Sequence, residues 1–166
     1  THIIHPTVVL DHDTDLVLDA REAKLMRPTL DNKAVGVALM DAGLIRFFDT
    51  PNGRTGMLSG AVLYSGPPFY SLHAGPALPD ADLEAWMAFK LAEPGPDKDF
   101  VTSPTLYNTL FSARGTYPTG FQPHVPAAEF AEVRQHYHAT PAGKFAETWT
   151  LGTLDGLGHL AAGGPL

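Results

Sequence analysis

The 166-residue chain contains no cysteine. That removes disulfide scaffolds, thiolate zinc sites and cysteine nucleophiles together, but it leaves the compartment open, because large secreted domains hold without disulfides when the core suffices. Charge is also scarce: Asp, Glu, Lys and Arg make up 17% of residues, too few for a solvating disordered chain or a highly charged surface module. Positive charge is scarcer still. The 11 Lys and Arg are scattered singly against 18 Asp and Glu, for a formal net charge of -7. Such a surface repels phosphate backbones, so no nucleic-acid partner is expected. No apolar run reaches the length of a membrane span. The chain opens on Thr1 without a methionine or a leader-like segment, and the expectation is a mature product or a fragment of a larger protein.

What is abundant is apolar surface and punctuation. Apolar residues account for 44% of the chain, enough at this length to build the core of one domain spanning 1–166. The 16 glycines and 15 prolines break long helices but suit short strands joined by turns. Thr7–Leu10 and Leu16–Ala20 flank the acidic break Asp11-His12-Asp13-Thr14-Asp15, a pattern that predicts a hairpin. Val35, Val37 and Leu39 alternate, Leu44–Phe48 follows after Gly43, and Asp49-Thr50-Pro51-Asn52-Gly53 is a turn signal before a strand over Met57–Tyr64. Ser65-Gly66-Pro67-Pro68 closes that strand.

Over Leu83–Leu91 the residues Leu83, Ala85, Met87, Phe89 and Leu91 alternate with Trp86 and Lys90, which favours a strand over a helix. Tyr107–Ser112 and Thr148–Leu151 add two more strands, the last leading into a glycine-rich end. One short helix is expected around 126–138: Pro126 suits a first helical position, Glu129 the first turn, and Phe130, Val133 and Tyr137 form one stripe. The predicted class is mainly β, an antiparallel sandwich with jelly-roll-like features.

Candidate chemistry is thin. Asp11, Asp13 and Asp15 have the opening spacing of a calcium loop, but Leu16 stands where glycine is needed and no bidentate glutamate follows. A solvated turn is the simpler account, with a weak surface calcium site as the alternative at these three residues. Glu132 and His136 share a helical face and can chelate zinc; His138 lies nearly opposite, and histidines in a last turn are explained by the helix dipole alone. Ser59, Ser65, Ser71, Ser103 and Ser112 are available, yet none sits in a G-x-S-x-G elbow. No P-loop or dinucleotide fingerprint is present. Tyr117 and Phe121, framed by Gly115, Pro118 and Gly120, make a candidate contact loop, with Trp86 as a further aromatic contact. Core packing is the competing account of these aromatics.

Three segments carry a resemblance. They are Leu16-Val17-Leu18-Asp19-Ala20-Arg21 with Ala23-Lys24, then Ser103-Pro104-Thr105-Leu106-Tyr107-Asn108, then Tyr117-Pro118-Thr119-Gly120-Phe121. Their order and spacing resemble the β-rich region that follows the catalytic domain in large secreted subtilisin-like serine peptidases of actinobacteria. The resemblance implies a secreted, extracellular location and a parent serine endopeptidase whose Asp, His and Ser lie in another domain. This chain lacks the D-T-G, H-G-T and G-T-S-M-A contexts of that triad, so no catalytic role carries over. The implied role is a non-catalytic accessory domain that stabilises the peptidase or docks it to substrate or cell surface, with the parent's catalytic domain as partner. A carbohydrate- or surface-binding module, using exposed aromatics on a polysaccharide or protein, is the alternative. A small metal-dependent enzyme using His, Asp and Glu is a third.

Overall fold

A computed structural model describes residues 1–96, 99–101 and 103–134, and the backbone of 151–153 and 160–162. Its strands run in chain order β1 (His2–Ile4), β2 (Lys24–Met26), β3 (Thr29–Leu30) and β4 (Gly36–Thr50). Next come β5 (Gly53–Tyr64), β6 (Phe69–His73), β7 (Leu83–Ala92) and β8 (Leu106–Arg114). Last are β9 (His124–Val125), β10 (Leu151–Thr153) and β11 (Leu160–Ala162). The fold is mainly β, as the punctuation and alternation predict.

The largest unit is an antiparallel sheet in the order β5-β4-β7-β8. The β4–β5 hairpin turns through Pro51-Asn52 and closes at the Thr50–Gly53 pair. Gly53 takes φ +113° there, a conformation costly for any residue with a Cβ, and the Thr50 hydroxyl donates to its carbonyl at 2.7 Å. Gly43 does not interrupt the chain: the two short strands expected on either side of it form one strand of 15 residues. The alternation across Val37 and Leu39 is broken by a bulge between them. Val37 pairs with Leu91 on the core face, whereas Leu39 pairs with Lys90 on the other.

Strand β7 is central, and both its faces are buried. Met87, Phe89 and Leu91 point into the main core and Leu83 and Ala85 into a smaller cluster on the same face, all at 0–1% exposure, while Glu84, Trp86 and Lys90 are buried on the opposite face. Across the core face lies a second layer built of short pieces. It comprises β1-β6-β2, in which β1 runs parallel to β6, and the parallel pair β3-β9. Met26, Leu30, Phe69 and Val125 from these pieces pack against Met40, Ala42, Met87 and Phe89. The expected antiparallel sandwich is thus realised in its larger sheet only, because the opposing layer is short and partly parallel. Strands β10 and β11 pair antiparallel; the predicted strand at 148–151 overlaps β10 at Leu151, and its first three residues lie outside the described ones.

Two expected elements differ. The hairpin over 7–20 does not form: residues 5–19 hold no strand, and Val9, Leu10 and Val17 are exposed at 67%, 79% and 84%. A lone two-stranded ribbon is marginal in water unless one face is covered, and Asp19 is engaged otherwise. It caps the tight turn Ala20–Glu22 by accepting the Arg21 N–H and pairing with the Arg21 guanidinium. The helix around 126–138 is reduced, within the described residues, to a three-residue 3-10 turn at Ala127–Glu129. Phe130 turns instead onto Tyr107, with ring centroids 5.4 Å apart, and Val133 is 77% exposed, so tertiary contact overrides the stripe. Tyr137 and the rest of that segment lie outside the described residues.

Candidate functional site

The stretch Gly115–Phe121 is where the aromatics were expected to meet a ligand, and the structure puts it to another use. Gly115 and Gly120 take φ +69° and +71°, which lets the chain fold tightly against β6. The fully buried Ser71 hydroxyl donates to the Pro118 carbonyl at 2.7 Å and accepts the Gly120 N–H at 3.0 Å. Thr119 Oγ1 accepts the His73 N–H, and His73 Nδ1 accepts the Tyr117 N–H. That second bond places the imidazole proton on Nε2, which faces the Pro76 carbonyl at 3.1 Å. Phe121 N–H donates to Leu25 O and Arg27 N–H to Phe121 O, so the loop continues the edge of β2.

Tyr117 is therefore a core residue, 1% exposed, packed with Leu44, Leu83 and Ala85. Its hydroxyl lies 3.1 Å from His2 Nδ1, and the two rings meet edge to face. Burial pushes the phenol well above its ordinary value and the His2 imidazole below its own. Phe121 packs on Phe111, centroids 4.9 Å apart. Trp86 is 7% exposed against Ile45, Ala88 and Leu110. Aromatics can be contact residues only where a ligand can reach them, so Tyr117 and Trp86 are corrected to packing groups, while Phe121 is half-buried.

The acidic loop at 11–15 is exposed, with Asp11 bonded to its neighbour His12. Among the described residues no three His, Asp or Glu side chains converge to hold a metal ion, and Asp11, Asp13 and Asp15 make no such cluster. Glu132 pairs with Arg134; His136 and His138 lie outside the described residues. Ser71 and Ser103 are engaged in backbone contacts, the latter accepting Glu93 N–H and donating to Thr105 O. No helix among the described residues is long and apolar enough to cross a membrane.

Two features escaped the sequence reading. On the sheet face opposite the main core, Trp86 Nε1 donates to Asp41 Oδ1 at 2.9 Å, with Glu84 and Lys90 buried on the same face. Desolvation raises the Asp41 carboxyl and lowers the Lys90 ammonium. The available signal was charge inside apolar runs: Asp41 within Leu39–Leu44, and Glu84 and Lys90 within Leu83–Leu91. The second feature is a cavity of about 540 Å³ between β2, β6 and the upper end of the β4–β5 hairpin, within the roughly 300–1,000 Å³ typical of small-molecule sites. Buried Met26, Met40 and Phe69 line it together with Val37, Leu63 and Phe100, and Ser65-Gly66-Pro67-Pro68 forms part of its wall. Phe100 lies across Gly36, where a Cβ would stand 3.1 Å from the ring. Arg27, Ser65 and Tyr70 are its lining residues with polar side chains. Compared with protein-family models, curated proteins and solved structures, the chain matches none.

Proposed function

We propose that this chain is a non-catalytic accessory domain of a secreted subtilisin-like serine endopeptidase, which stabilises the peptidase or docks it to its substrate. One observation supports the reading: the first and third segments that bear the resemblance pack against one another, and the second is held by its own neighbours. Gly120 of the third segment sits so close to Lys24 of the first that a Cβ there would lie 2.6 Å from the Lys24 Cβ. The adjoining backbones exchange bonds between Leu25 and Phe121, and between Phe121 and Arg27. Ser103 of the second segment ties Glu93 to Thr105, and Tyr107 packs against Phe130. Residues spent on mutual packing specify a scaffold, and a scaffold serves a peptidase by contact.

The test is to sequence the reading frame upstream of Thr1 and co-express what it encodes with this domain. A subtilisin-type catalytic domain is expected there, losing activity faster on heating when this domain is deleted. A frame without a peptidase, or a peptidase whose thermal inactivation and substrate binding ignore the deletion, overturns the proposal. The buried positions of Trp86 and Tyr117 favour this reading over a polysaccharide-binding row of aromatics.

A further inference from the structure

The cavity beside β2 goes beyond that reading and stands independently of it. Its walls are apolar, set by Met26, Val37, Met40, Leu63, Phe69 and Phe100. Three of the lining residues carry polar side chains, and all three are exposed: Arg27, Ser65 and Tyr70. Among the described residues, none of these three side chains makes an ion pair or a hydrogen bond. By contrast, Arg21, Arg54 and Arg134 are paired with carboxylates in a chain of net charge -7. A free guanidinium presents a planar fork of donors matched to a carboxylate, and two hydroxyls can donate beside it. A single cation in an acidic surface suits one negative charge, whereas a polyanion would meet the surrounding field.

We infer that this cavity binds an apolar monocarboxylate, its carboxylate on Arg27 with Ser65 and Tyr70, and its apolar body against Met26, Met40 and Phe69. Two sources share that chemistry: an aliphatic acid, and a short peptide with an apolar residue at a free C-terminus.

Isothermal titration calorimetry on the whole chain separates them, with decanoate and a blocked apolar dipeptide acid as probes, and decanol and the dipeptide amide as uncharged controls. At least one acid is expected to bind, and to bind more tightly than its control. Whichever acid binds identifies the source. Arg27→Gln should weaken the acid about tenfold or more, the effect of losing a charge-assisted hydrogen bond, and leave the control unchanged. Arg27→Lys should retain part of the affinity. Leu63→Trp, which fills the cavity from an exposed strand position, should weaken acid and control alike. Arg27 and Leu63 are both exposed, and circular dichroism melts will confirm that each variant folds. No heat with either acid overturns the inference. So does acid binding that Arg27→Gln and Leu63→Trp, both folded, leave intact.

Discussion

Asp41 and His2 make the stability of the fold depend on pH in opposite senses. The Asp41 carboxyl is desolvated and its folded value lies above the ordinary 3.8, despite the bond from Trp86. The folded state therefore holds the proton more tightly than the unfolded one. The stability this contributes is full below the ordinary carboxylate value and is lost as pH rises through the raised one. His2 is half-buried against Tyr117 and Phe69, and desolvation lowers its folded value below 6.5. The folded state prefers the neutral ring, so stability is full above 6.5 and falls as pH drops toward the lowered value. Melting temperature measured against pH should show both effects. Asp41→Asn should flatten the change just above pH 3.8, and His2→Gln should flatten the loss that begins below pH 6.5. Unchanged profiles in both variants would contradict these environments.

Elements here are held by a few close approaches, and two of them set measurable costs. Ser71 joins β6 to the 117–121 loop through one donated and one accepted bond, both buried. Ser71→Ala leaves the Gly120 N–H and the Pro118 carbonyl without that partner, and should cost about 1–3 kcal/mol in urea unfolding. At Gly43 a Cβ would stand 2.4 Å from the Trp86 ring and 2.6 Å from the Ser59 carbonyl. Gly43→Ala should therefore cost about 1–3 kcal/mol by overpacking, and Gly60→Ala less, since its nearest contact is 3.2 Å. Equal effects at the two glycines would refute the packing of the indole between them.

These approaches also mark what the sequence could reveal. Strand β7 was legible because Leu83, Ala85, Met87, Phe89 and Leu91 alternate over a full strand length, and the Thr50–Gly53 turn because Asn52-Gly53 states its own geometry. The single strand through Gly43 was not, since the Trp86 ring and the Ser59 carbonyl, both distant in the chain, explain that glycine. The parallel pairings of β1 with β6 and β3 with β9 rest on segments of three and two residues, too short to carry a period.

At the scale of the whole molecule, one extended antiparallel sheet is covered on one face by short pieces whose attachment depends on side-chain-to-backbone bonds. Composition foretold the β class, because a glycine- and proline-rich apolar chain has few other ways to bury itself. It could not foretell that Tyr117, in the most loop-like stretch of the sequence, lies inside. That position follows from Ser71, His73 and Thr119, residues far apart in the chain whose bonds form only once β6 and the loop are together. For the same reason the cavity was invisible: Arg27, Leu63, Tyr70 and Phe100 share no sequence pattern and meet only in the fold. The proposed function has the chain contribute contact and leaves chemistry to another domain. It is tested most directly by following casein hydrolysis with the purified chain over hours at neutral pH. Release no greater than with buffer alone is expected, whereas hydrolysis that co-purifies with the chain and disappears on one Ser→Ala substitution would contradict the proposed function.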